Sequence, residues 1–224
     1  MLALRGKKFV LVERQGSIVP SRFNTLEIER RERSVSNPEE LKVNSFDDLR
    51  RRLAHQREPH GTGLNPRATA VVVDMLTRFP ACQPDTIRGV KSLLGHAIEN
   101  GWGIIFLEHL NWGETHPDIL ELLVLQDPSR LKLCALRPKQ IWDGSEQVAH
   151  ACTELELPTG EFYVGGVNTF ECVQDTVIGL EKRFPSSSIN VVKAACNCET
   201  GKCWSTFHQS DRVKLVDEVP PVAG

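Results

Sequence analysis

Apolar and polar positions change period along this chain, and the changes mark its elements. From residue 68 onward, short continuous apolar runs alternate with stretches of three-and-four spacing. Thr69–Val73 is β-branched and uninterrupted, which suits a strand covered on both faces of a parallel sheet. Ile87, Val90, Leu94 and Ala97/Ile98 recur at helical spacing, and Asn100-Gly101 closes that helix. The same reading predicts strands at Gly103–Leu107, Leu131–Leu136, Glu161–Val164 and Ile189–Ala194, with a sixth at Lys214–Val219. It predicts helices at Asp118–Leu125, Ser145–Leu155 (Ser145 as cap) and Glu171–Phe184. Strands alternating with helices imply right-handed crossovers and a parallel sheet with helices on both faces. The first 67 residues read differently. Lys8–Val12 and Phe23–Ile28 are strand candidates, and Ser45-Phe46-Asp47-Asp48-Leu49 opens a helix with Ser45 as its cap.

Charge sharpens the division. The 224 residues carry 27 Lys/Arg and 29 Asp/Glu. Residues 1–67 hold 14 basic and 9 acidic side chains, and residues 68–224 hold 13 and 20. With turn formers at Gly61–Pro66, this predicts an N-terminal extension over 1–67 and a main domain over 68–224. Arg50-Arg51-Arg52 lies on the extension's helix and reads first as a solvated face, second as a site for phosphate or an acidic partner. A formal net charge of −2 argues against nucleic-acid binding by bulk positive charge. Apolar runs far short of about 20 residues predict no membrane span. The start of the chain lacks the long apolar stretch of a signal peptide, so a cytoplasmic location is expected. Seven cysteines fit a reducing compartment better than a disulfide scaffold.

Ligands of open α/β sheets lie at the carboxyl ends of strands. There the sequence places Asp74 after the first strand of the main domain and Glu108-His109 after the second. Lys139 lies beyond the third strand, and Gly165-Gly166-Val167-Asn168-Thr169 leads from the fourth to Cys172. A thiol near a helix N-terminus and a lysine is biased toward thiolate, and a carboxylate beside it can take and return a proton.

Two strings resemble the isochorismatase-like cysteine hydrolases, the nicotinamidase and N-carbamoylsarcosine amidase group. Val71-Val72-Val73-Asp74-Met75-Leu76-Thr77-Arg78-Phe79 is similar to the family's first strand, with its acid and a Phe five residues on. Gly166-Val167-Asn168-Thr169-Phe170-Glu171-Cys172-Val173 resembles its Gly-Val-x-Thr-x-x-Cys-Val nucleophile turn. The resemblance spans residues 68–219. It implies a three-layer α/β/α sandwich with a mostly parallel central sheet, preceded here by an α+β extension. It implies Asp74, Lys139 and Cys172 as the catalytic set, with Lys132 and Arg137 the neighbouring alternatives to Lys139. It also implies a cis peptide before Asn168, and an oxyanion hole from the backbone N–H groups of Asn168 and Cys172. The implied reaction is hydrolysis of an amide- or ureide-type C–N bond in a small molecule through a thioester, by a homo-oligomer without a cofactor. Candidate pocket walls are Phe79, His109, Trp112, Trp142 and Phe170.

Metal-binding relatives carry an Asp-x-His after the second strand. This chain has Glu108-His109-Leu110-Asn111-Trp112 and then His116, so His109 and His116 stand only as an alternative metal pair. Cys196, Cys198, Cys203 and His208 form a second possible zinc set, at a spacing that fits no common zinc motif. Two other functions stay open. One is an isochorismatase-type vinyl-ether hydrolase that needs the acid but not the thiol; the other is a non-catalytic binding module.

Overall fold

The β-branched run Thr69–Val73 (β3) is buried along its whole length and forms the middle of a six-stranded sheet. A computed structural model describes residues 2–5, 8–11, 46–57, 66–124, 126, 128–197 and 204–219. Two compact units divide at residues 45 and 46. In the first, β1 (Leu2–Arg5) pairs antiparallel with β2 (Lys8–Leu11). The strand expected at Phe23–Ile28 and the cap expected at Ser45 lie outside the described residues.

The second unit opens with α1 (Phe46–His55) and continues through β3, α2 (Pro84–Glu99), β4 (Gly103–His109), α3 (Pro117–Val124) and β5 (Cys134–Lys139). It closes with α4 (Ser145–Glu154), β6 (Glu161–Gly166), α5 (Gln174–Arg183), β7 (Ser188–Cys196) and β8 (Val213–Val216). The strand order is β5-β4-β3-β6-β7-β8, and every pairing is parallel. Successive strands step outward one way from β3 and the other way from β6. The boundary between β3 and β6 is therefore the topological switch point, the place where open α/β sheets hold their ligands.

Strand side chains alternate between the two faces. Val71, Val73, Ile105, Leu107, Phe162, Val164, Ile189 and Val191 share one buried cluster with Val148 and Ala151 of α4 and Val177 and Leu180 of α5. On the other face α2 packs on β3, β6 and β7 through Val90, Leu93, Leu94 and Ala97. That approach is close: a Cβ at Gly89 would stand 1.8 Å from the Ala194 carbonyl oxygen.

Three expectations are corrected. The strand expected at Leu131–Leu136 lies three residues later, at Cys134–Lys139, after a single helical turn at Pro128–Leu131. Lys139 is thus the last residue of a strand instead of a loop residue. Ser145 does not cap its helix: Gly144 holds that position, and the Ser145 N–H donates to Asp143 Oδ1. Finally, α1 is part of the second unit. Leu49 and Leu53, one helical turn apart, are buried, and α1 packs on β5 and α3. The charge break at residue 67 does not coincide with the structural break at 45.

Candidate active site

Asp74 ends β3. Its φ of +50° lies in the left-handed region, which Asp tolerates better than most residues. Its backbone N–H still bonds to Leu107 O at 3.0 Å, so the ladder holds the turn from one side. The carboxylate is fully buried. Oδ1 accepts the His109 backbone N–H at 2.9 Å, and Oδ2 lies 2.7 Å from Lys139 Nζ.

Lys139 comes from the far strand of the same sheet half and is 1% exposed. Its ammonium also donates to the carbonyls of Ile141 and Trp142, at 3.0 and 3.1 Å. Two of its three donors thus go to carbonyls, and the charge pairs with Asp74.

The third member comes from β6. Gly166, at the strand end, has φ +135°, and a Cβ there would stand 2.0 Å from Val73 O. Only glycine lets β6 approach β3 so closely at the switch point. The next peptide, Val167–Asn168, is cis, and Val167 N–H bonds to Val73 O at 2.9 Å. A widened π-type turn over Thr169–Val173, kinked at Phe170, then leads into α5. The reading of a regular helix from Glu171 misses this turn, which buries Cys172 where the charges of Asp74 and Lys139 both act on its thiol.

The electrostatics differ from the expectation of a thiolate. Burial pushes the Cys172 thiol up to about 12; the Asp74 charge pushes the same way, and Lys139 only partly offsets both. Burial also raises Asp74 above the ordinary carboxylate value, against the pull of Lys139, Cys172 and His109. Burial thus works against the thiolate at Cys172 and strengthens Asp74 as a base.

Other predicted residues take varied places. Phe79 stacks on Trp112, with ring centroids 5.2 Å apart. Trp112 and Trp142 are exposed, as are Leu110 and Ile141 on the same two loops. Phe170 is buried and its ring packs against Trp204 and Phe207. His109 is buried, and His116 Nδ1 accepts from Asp118 N–H at 3.3 Å. Among the described residues no three His, Cys, Asp or Glu side chains form a group able to hold a metal. His208 is turned to Glu181, with Nε2 2.7 Å from Oε2. Cys196 sits beside Gly166 with its thiol pushed up to about 12 by burial, while Cys198 and Cys203 lie outside the described residues. A cleft of about 580 Å³ opens near the ends of β3 and β4, lined by Arg50, Arg78, Glu108, Asn111 and Glu114 among others. The sequence placed Glu108 at the strand ends and read Arg50 first as a solvated face; what it does not display is their pairing, 2.6 Å apart.

No protein-family model and no curated protein matches the sequence. Solved structures do. A candidate MAR1 ribonuclease from Leishmania major aligns with a TM-score of 0.51 at 17% identity, over 71% of this chain and 82% of that one. N-carbamoylsarcosine amidase from Thermoplasma acidophilum aligns with a TM-score of 0.50 at 14% identity, over 69% and 99%. The fold is isochorismatase-like. A MAR1 ribonuclease from Caenorhabditis elegans shares it, with a TM-score of 0.50 at 17% identity; the match takes in 60% of this chain and 66% of that protein. Within this isochorismatase-like fold, Asp74, Lys139 and Cys172 meet at the switch point between β3 and β6. No helix among the described residues is long and apolar enough to cross a membrane.

Proposed function

We propose that this chain is a hydrolase that cleaves an amide- or ureide-type C–N bond in a small molecule, with Cys172 as nucleophile. One observation carries the reading: a fully buried acid, 2.7 Å from a buried lysine, whose charges both act on a buried thiol on the turn that leads into α5.

As sulfur attacks the substrate carbonyl carbon, the thiol proton passes to Asp74, whose burial has made it a better base. The C=O π pair moves onto oxygen, and the oxyanion takes bonds from the backbone N–H groups of Asn168 and Cys172. Collapse re-forms the carbonyl and breaks the C–N bond, and the departing amine takes the proton from Asp74. A water then gives its proton to Asp74 and adds to the thioester. Breaking the C–S bond returns that proton to sulfur, releasing the acid. Lys139 holds the carboxylate in place throughout and offsets its charge.

The test is a panel of small amides and ureides, with an oligoribonucleotide included because two neighbours bear the name ribonuclease. The expected result is amine release and a trappable acyl group on Cys172. Cys172→Ala and Asp74→Asn should each lower the rate by at least about a hundredfold. Full turnover by Cys172→Ala would overturn the reading. Turnover of a vinyl ether that needs Asp74 but not the thiol would replace it with the isochorismatase-type reaction.

A further inference from the structure

A second network surrounds Asp74, and it begins on α1. Arg50 sets both Nη atoms on the Glu108 carboxylate, at 2.6 and 2.7 Å, the paired geometry in which a guanidinium is most directional. Glu108 lies buried on β4. Its Oε1 also accepts the Thr115 backbone N–H at 2.7 Å and the Thr115 hydroxyl at 2.6 Å. Thr115 forms an antiparallel bridge to Leu76, two residues beyond Asp74. The rungs beside it are closed by Thr77 N–H to Glu114 O at 3.0 Å and His116 N–H to Met75 O at 2.8 Å. A second branch is shorter, since the residue after Glu108 is His109, whose N–H holds Asp74 Oδ1.

We propose that Arg50 is a positioning residue for Asp74: through Glu108 it fixes both the Thr115–Leu76 bridge and the His109 N–H that aim the carboxylate at Cys172. This rests on the reading of Asp74 as the proton carrier. The geometry explains why the brace is needed. Asp74 has φ +50°, and the turn that follows it is held across to Glu114–His116 by the Leu76 bridge and its two flanking rungs. The Phe79 and Cys82 N–H groups bond back to Leu76 and Phe79, so the bridge at Leu76 anchors the whole segment. Arg50 touches none of the reacting groups. It is in turn placed by its neighbours Leu49 and Leu53, which bury α1. Lysine at 50 would keep the charge and lose the fork.

The readout is the rate of Cys172 alkylation by iodoacetamide at about pH 8, followed by peptide mass spectrometry on the full chain. Asp74 holds the thiol's pKa up, so letting its carboxylate drift away speeds labelling. The paired variant Arg50→Met/Glu108→Gln removes the network without leaving a lone buried charge, and Arg50→Lys is the milder second variant. Each should speed labelling, the pair by at least about threefold, corresponding to roughly half a pKa unit. The same pair placed on Asp74→Asn should add nothing. Arg57→Met, which removes an exposed guanidinium from Glu154 and Gln56 and touches nothing in this network, should match the parent.

Unchanged labelling in both network variants would overturn the proposal. So would an equal acceleration with and without Asp74, since that reports general loosening instead of positioning. If Asp74→Asn itself leaves labelling unchanged, the active-site reading fails first and the proposal falls with it.

Discussion

Cys172 shows how far a residue's chemistry can depart from its sequence context. Its position after Gly166-Val167-Asn168-Thr169 was readable, as was a lysine close by. Both features favour a thiolate. What the sequence does not display is burial, and burial dominates, with the thiol pushed up to about 12. An ordinary thiol titrates near 8.5, so Cys172 should label more slowly than a free thiol at about pH 8. The two charged neighbours should then act in opposite directions. Asp74→Asn removes a charge that raises the thiol and should speed labelling, while Lys139→Met removes one that lowers it and should slow labelling further. Alkylation rates for the parent and both variants check this, and a shift of the same sign in both would show that the three groups are not coupled as described.

Among the elements, the strands were legible where β-branched runs are buried on both faces, as in β3 and β4. β5 was not. The leucine-rich stretch Leu131–Leu136 predicts a strand three residues too early, and Pro138 lies within the observed one. Yet β5 is the edge of the sheet, bonded to β4 alone, and an edge strand tolerates proline because its outer side donates to no neighbour. That shift is what makes Lys139 a strand residue aimed at Asp74. Helix α5 depends on a contact of the same non-local kind. Glu181 receives the Ser210 hydroxyl, stands 2.7 Å from His208 Nε2 and 3.4 Å from an Arg212 nitrogen, which ties the helix to the segment before β8. Ser210 and His208 hold its carboxyl below the ordinary range. A depressed folded-state pKa means stability that is present above the unfolded value and lost as pH falls through the folded one. Glu181→Gln should therefore cost about 1–2 kcal/mol near neutral pH, or roughly 3–6 °C in Tm. The gap to the parent should close in acid below the ordinary glutamate range. Melting curves at several pH values measure it, and a gap that stays constant would assign the cost to packing instead.

At the scale of the whole molecule, the alternation of strands and helices, the sheet ends and the switch-point site were all readable. The boundary of the second unit was not. Charge counts change sign across residue 67, but folding follows buried area and paired charge, and both reach back to residue 46. Leu49 and Leu53 enter the core from α1. Arg50 fills the fork on Glu108, while Arg137 on β5 donates to Leu53 O at 3.2 Å and Gln56 O at 2.8 Å. A chain beginning at residue 46 keeps all of these contacts and should melt in one cooperative transition. A chain beginning at residue 68 loses them together. Each leucine lost from a core costs about 2–5 kcal/mol. A buried charge stripped of its partner costs about 3–5 kcal/mol, and Glu108 loses its partner guanidinium while Arg137 loses two of its acceptors. Domain stabilities are only about 5–15 kcal/mol, so the shorter chain should fail to fold or melt far below the longer one. Circular dichroism melts of the two chains decide the matter. Equal melting temperatures would show that α1 is an appendage and that the unit begins where the charge changes sign.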